Sequence, residues 1–172
     1  MLRKLLIWVR DAALSTVIAV IVILFFYQPV KVEGTSMMPA LVDQERIFIN
    51  KYVYRLGIGT VSRGDTVVFW APHDPSKSYI KRVIGLPGDL VEIREGAVFV
   101  NEERLDEPYV PDIYRDHFSQ PPMRVPQDSY YVLGDHRSIS NDSRSWGAIG
   151  RDSIFGRAAF VYWPLERLGR VP

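Results

Sequence analysis

Residues 12–27 read AALSTVIAVIVILFFY, sixteen residues without a charge. No other stretch restricts the chain so strongly, because a helix apolar on every side has no face to turn to water. Such a helix is buried in a protein or lies in a membrane. Sixteen residues are near the short end of what crosses a hydrocarbon core about 30 Å thick. Trp8, Val9 and Val30 extend the apolar run, while Arg10 and Asp11 fall where side chains snorkel to an interface. Arg3, Lys4 and Arg10 all precede the run, which places the N-terminus in the cytoplasm and the body on the other side. A buried core helix and a cleaved signal peptide are the alternatives. Against the second, Tyr27-Gln28-Pro29-Val30-Lys31 offers no small-x-small cleavage pattern. The run therefore reads as an uncleaved single-pass signal anchor: residues 1–10 cytoplasmic, 11–28 in the lipid bilayer, and 29–172 an extracytoplasmic domain.

That domain reads as all-β. Arg46-Ile47-Phe48-Ile49-Asn50 and Thr66-Val67-Val68-Phe69-Trp70 are rich in β-branched and aromatic residues. Residues 51–54 extend the first of these, and residues 56–59 form a glycine-weakened connection. Residues 71–78 read as a loop from their Pro, Asp and Ser content. Residues 79–85 and the alternating 90–94 follow as strands, with a hairpin turn at Glu95-Gly96 leading into residues 97–100. Residues 104–127 carry Pro108, Pro111, Pro121, Pro122 and Pro126, and read as a mobile surface insertion without regular elements. Strands resume at 129–133 and close at 154–163. Beyond residue 30 no period-3.6 pattern of useful length occurs. The expected fold is a sandwich or partly open barrel of antiparallel strands behind one transmembrane helix.

Composition removes several chemistries. There is no cysteine, so disulfides, thiolate metal sites and cysteine nucleophiles are excluded. The three histidines have no metal-ligand spacing, so no metal and no cofactor are expected. With Arg3, Lys4, Arg10 and Asp11 set aside, 18 basic and 19 acidic residues remain. A body so nearly neutral carries no basic stripe for nucleic acid.

What remains is hydroxyl chemistry. Gly34-Thr35-Ser36-Met37-Met38-Pro39 presents a serine on a small turn just past the apolar run. His136 is a weak candidate base beside cationic Arg137. Lys81 is a better one, set among Ile80, Val83 and Ile84 with Arg82 on the opposite face of the strand. A free lysine has a pKa of about 10.4, so only about one in a few thousand is neutral at pH 7. Burial lowers that pKa by several units, while an ordinary edge-strand lysine in water keeps it. The polar segment 134–147 holds two aspartates, two arginines and four serines; Asp135, Asp142 and Arg144 are enough with Arg82 to build a buried ion-pair frame, and a serine hydroxyl could hold a lysine amine.

Ser36-Met37-Met38-Pro39, Gly64-Asp65-Thr66-Val67-Val68-Phe69, Tyr79-Ile80-Lys81-Arg82-Val83-Ile84-Gly85-Leu86-Pro87-Gly88-Asp89, and Gly134-Asp135-x-Arg137 through Asn141-Asp142-Ser143-Arg144 occur here in one order. In that order they resemble the sequence boxes of bacterial type I signal peptidases, in their compact single-span form. The resemblance implies a membrane-bound serine endopeptidase that removes signal peptides from exported preproteins after a small-x-small motif such as Ala-x-Ala. Carried over by position, Ser36 is the nucleophile and Lys81 its general base. Ser140 is the hydroxyl that orients the lysine, Asp142 with Arg144 a supporting ion pair, and Arg82 with Asp135 a second. The Ser36 N–H is an oxyanion donor. Gly34 departs from members with a serine two residues before the nucleophile, and His136 stands where many carry asparagine. Two other readings compete: a Ser/Lys autoprotease of the repressor type, and an inactive membrane-anchored binding protein on the same scaffold.

Overall fold

The computed structural model describes residues 2–51 and 59–172. Residues 52–58, which carry part of the expected extension and glycine-weakened connection, lie outside the described residues. Helix α1 spans Leu2–Phe26. Among the described residues no helix is long and apolar enough to cross a membrane. The uncharged part of α1, residues 12–26, covers only about 22 Å at 1.5 Å per residue, and Tyr27 already belongs to the first strand. The expected span of residues 11–28 is therefore a shorter apolar helix that leads straight into the sheet.

The strands are β1 (Tyr27–Lys31), β2 (Arg46–Asn50), β3 (Thr66–Ala71), β4 (Asp74–Gly85), β5 (Leu90–Arg94), β6 (Ala97–Val100), β7 (Glu103–Arg104), β8 (Gln120–Arg124), β9 (Ser129–Leu133), β10 (Ile149–Gly150), β11 (Ile154–Trp163) and β12 (Gly169–Arg170). They form two antiparallel sheets. The larger runs β1-β2-β11-β3-β4-β9-β10, with β12 paired to β11, and the smaller β7-β6-β5-β8. β3 explains the stability of the larger sheet's centre. Val68 faces a core with Ile47, Ile49 and Leu41, while Val67 and Phe69 face another with Val83, Val132 and Ile154. Both faces of the strand are thus dry, which suits a continuous β-branched and aromatic run. A third core joins the sheets: Ile84, Tyr131 and Leu133 of the larger pack against Val91, Ile93 and Val98 of the smaller.

Two stretches depart from expectation. Residues 74–78 are not loop but the start of β4, which turns back at Pro72-His73 and pairs Ala71 with Asp74 and Trp70 with Ser78. Pro75 falls where the register shifts, so the missing N–H is not demanded by the ladder. Residues 104–127 likewise contain regular structure. β8 carries Pro121 and Pro122 and still pairs with β5, at the edge of the smaller sheet and across a register shift. Proline is tolerated at such an edge because only one side of the strand needs donors. Glu107, Val110 and Val125 of this stretch are buried.

Leu133 sits in the core shared by both sheets and is fully buried. Leu133→Ala is expected to lower the unfolding free energy by about 2–5 kcal/mol, with both sheets lost in one transition. A denaturant titration of the solubilised chain reads this directly, and an unmoved midpoint would contradict a shared core.

Candidate active site

Ser36 is presented by a loop pinned at its base and plugged from below. Val32 N–H donates to Glu45 O (2.7 Å) and Gln44 N–H to Val32 O (2.9 Å), closing the loop like a hairpin. Gly34 N–H donates to Asp43 Oδ1 at 2.7 Å. Gly34 adopts φ +93°, a left-handed conformation that side chains resist. Met37 and Leu41 drop into the core beneath, and Met38 N–H donates to Thr35 O at 3.1 Å to close the turn around Ser36. From the other side, His136 N–H donates to Ser36 O at 3.0 Å. The N–H of Ser36 itself has no acceptor among the described residues.

Lys81 lies on β4 opposite uncharged Val67 of β3. Its Nζ is 2.6 Å from Ser36 Oγ. The residue is 4% exposed. Burial holds its pKa at about 8 instead of the usual 10.5, against the raising influence of Asp142 and Asp135 and with help from Arg144. At that value about one amine in ten is neutral at pH 7, compared with about one in a few thousand for a free lysine.

Consecutive strand residues face opposite sides, so Arg82 turns away from Ser36 to Asp135. Nε and Nη2 donate to the two carboxylate oxygens at 2.8 and 2.7 Å, and Nη1 to Gly64 O and Pro172 O. Burial works against the Arg82 charge, yet the bonds to Asp135 outweigh it and its pKa is raised. Asp142 caps the one-turn helix Ser143–Trp146, accepting from Arg144 N–H. It also accepts from Arg144 Nε and Nη2 at 2.8 and 2.9 Å and from Gly134 N–H at 3.0 Å. Both ion pairs inferred from the sequence are thus formed.

Ser140 is different. Its Oγ is buried without a hydrogen-bond partner, so the bond to Lys81 implied by the resemblance is not formed. Ser140 does lie close to Ser36. A Cβ built at Gly134 would come within 2.1 Å of Ser140 Oγ and 2.6 Å of Ser36 O, so only glycine lets these segments meet. His136 offers no base to Ser36: its Nδ1 lies 3.3 Å from Thr35 O, and its ring packs on Tyr114.

Sequence reasoning missed three participants. Arg137 donates to both carboxylate oxygens of buried Glu107 and, through Nε, to Gly134 O at 3.0 Å. Asp116 pairs with Arg144. Tyr109 lies under the Arg82 guanidinium, 4.1 Å from its ring centroid. All three come from the stretch read as an insertion. A carboxylate among prolines carries no periodicity that would mark it as buried.

A cleft of about 460 Å³ leads to Ser36 and Lys81, walled by residues 30–34 on one side and residues 76–81 on the other. β1 ends the larger sheet, and β9 pairs with β4 only from Arg82 onward, so both walls offer unpaired backbone edges.

Comparison with known proteins identifies the family. Residues 5–163 match the family model described as signal peptidase, peptidase S26. The chain is 37% identical to signal peptidase IB of Staphylococcus aureus, over 96% of this chain and 93% of that protein. It is 35% identical to signal peptidase I P of Bacillus subtilis subsp. natto, over 94% and 90% respectively. A crystal structure of a signal peptidase I from Enterococcus faecalis V583 superposes with a TM-score of 0.51 at 31% identity, covering 57% of this chain and 96% of that one. The chain belongs to the signal peptidase family, peptidase S26, and is a serine peptidase.

Proposed function

We propose that the protein is a membrane-anchored endopeptidase that removes N-terminal signal peptides from exported preproteins, with Ser36 as nucleophile and Lys81 as general base. The observation that carries this reading is a buried lysine amine 2.6 Å from a serine hydroxyl at the head of a cleft. The neutral amine accepts the Ser36 proton as Oγ attacks the scissile carbonyl. The Ser36 N–H, without an acceptor among the described residues, stabilises the oxyanion that develops. The Lys81 ammonium then gives its proton to the leaving amine, and water releases the acyl group with the same lysine as base.

The cleft supports an extended substrate. A strand laid between residues 30–34 and 76–81 would bond to both free edges, which is recognition by β-augmentation. Alternate residues of an extended peptide face one side, so the first and third positions before the scissile bond meet the same wall. That geometry supports selection for a small-x-small pattern such as Ala-x-Ala.

Three features support the anchor. Trp8, Leu14, Val17 and Ile21 are each more than half exposed, on several sides of α1. A helix with no polar face is at rest only in an apolar medium. Arg10 and Asp11 pair with each other at 2.9 Å, which lessens the charge at the end of the apolar part. The uncharged 22 Å or so reaches across if the bilayer thins locally and flanking residues snorkel. The N-terminus then lies in the cytoplasm and the domain outside it.

Cleavage of a preprotein bearing an Ala-x-Ala site by the solubilised chain, beside Ser36→Ala and Lys81→Ala, tests the chemistry. Cleavage after the second alanine is expected, with both variants down by about 10³-fold or more. Activity retained by Lys81→Ala would remove the lysine as base, and a folded but inactive wild type would favour a binding protein on this scaffold. Because the working form of Lys81 is neutral, kcat/KM should climb about tenfold per pH unit below pH 8 and level off above it. A profile flat from pH 6 to 9 would contradict a titrating lysine. Carbonate-washed membranes of an expressing bacterium should retain the full chain, and its release into the wash would rule out the anchor while leaving the dyad untouched.

A further inference from the structure

The stretch 107–118 touches both arginines of the catalytic loop, residues 134–144, and Arg82 of β4, from outside the sequence boxes. Glu107 is 4% exposed and closes on Arg137, also 4% exposed, through both carboxylate oxygens. Tyr109 donates its hydroxyl proton to Glu107 at 3.0 Å while its ring supports Arg82. Tyr114 packs on His136 and its carbonyl accepts from Ser138 N–H. Asp116 pairs with Arg144, and Phe118 lies under the same guanidinium at 5.6 Å. The stretch is itself fixed against the smaller sheet. Gly96 N–H donates to Phe118 O, and a Cβ at Gly96 would come within 1.9 Å of Asp116 O.

We propose that residues 107–118 form a strap that positions the catalytic loop: Glu107 fixes Arg137, Tyr109 supports Arg82 and Asp116 fixes Arg144, and through them the segment holding Ser36. The path to the nucleophile is short. Arg137 Nε bonds to Gly134 O, Gly134 abuts Ser36 O and Ser140, and the adjacent His136 N–H holds Ser36 O. Arg82, Arg137 and Arg144 carry three positive charges, and Asp135, Asp142, Glu107 and Asp116 four negative ones. Two of those four belong to the strap. With Lys81 neutral the cluster is anionic by one, and it becomes balanced when Lys81 takes the Ser36 proton. Without the strap's carboxylates it would be cationic at the same moment and would oppose the transfer.

The inference rests on the Ser36–Lys81 reading, and one set of pH profiles separates the two. The charged groups that face Lys81 are Asp142, Asp135 and Arg144 of the loop. Lys31, Glu33 and Lys77 line the same cleft, and β3 contributes uncharged Val67. No strap residue lines the cleft. Glu107→Gln and Asp116→Asn, assayed in the solubilised full chain, are therefore expected to lower kcat about 10- to 100-fold with KM unchanged. In Asp116→Asn the ascending limb should also move to lower pH, because Arg144 is left less compensated beside Lys81 and favours the neutral amine. Asp116 is partly exposed, so this variant decides the matter even if Glu107→Gln does not fold. Wild-type kcat in folded variants would overturn the strap. So would a lower kcat with the limb unmoved, since loss of folded protein alone lowers amplitude without shifting a titration. A wild-type profile without an ascending limb near pH 8 would overturn the dyad reading and the strap with it.

Discussion

The hydrogen bond between Ser36 and Lys81 depends on keeping water from one amine, and most of the fold serves that end. A lysine at its ordinary pKa must lose its proton at about 4–5 kcal/mol before it can act at pH 7. At a pKa of about 8 that demand falls to about 1–2 kcal/mol. The difference is supplied by desolvation, which is a property of packing. Val67 across the ladder and the plug of Met37 and Leu41 under the Ser36 loop belong to the dry cores on the two faces of β3. The lysine therefore draws on burial that the sheet needs for its own stability.

The charges around it follow a different logic. Burying ion pairs such as Arg82–Asp135 and Arg137–Glu107 contributes little to stability, because desolvation of two charges roughly cancels their attraction. What such pairs supply is direction. Each guanidinium here also bonds to a backbone carbonyl: Arg82 to Gly64 and Pro172, Arg137 to Gly134, Arg144 to Arg137 and Ser140. Each pair thus ties a loop to a strand or to another loop. Four segments far apart in sequence, around residues 36, 82, 107 and 140, are held in one register by bonds whose lengths tolerate little drift.

Periodicity and residue type made the strands of the larger sheet legible, since Thr66-Val67-Val68-Phe69-Trp70 and the apolar stretch around Lys81 are what a doubly buried strand must look like. They also made the two supporting ion pairs legible once the boxes were placed in order. Three things were not. β8 was hidden because proline counts against a strand in general but not at a sheet edge across a register shift. The start of β4 was hidden because its Asp-Pro-Ser-Lys-Ser composition argues for a loop, whereas pairing with β3 uses only the backbone. Glu107 and Asp116 were hidden because a buried carboxylate is defined by its partner, and Arg137 lies 30 residues away from Glu107. Ser140 shows the opposite limit: the family resemblance set its hydroxyl on Lys81, but the structure leaves that hydroxyl without a partner.

The shortness of the link between α1 and Ser36 joins these levels. Ser36 follows the last residue of α1 by ten positions, so at about 3.3 Å per residue no more than about 33 Å of chain separates them. Half of that link is β1, paired to β2 along five residues, and β2 is paired in turn to β11. A flexible tether of this length would let the domain wander over the membrane, whereas a strand in the sheet fixes the height of the cleft above the helix end. With α1 placed in the bilayer as proposed, the cleft stays within reach of a substrate whose own apolar segment ends at the same surface. Both partners are then confined to one plane, so encounter is set by lateral diffusion and an effective concentration that requires no extra contact. The strength of substrate binding in the cleft can then remain modest. That suits a site whose walls are two bare backbone edges.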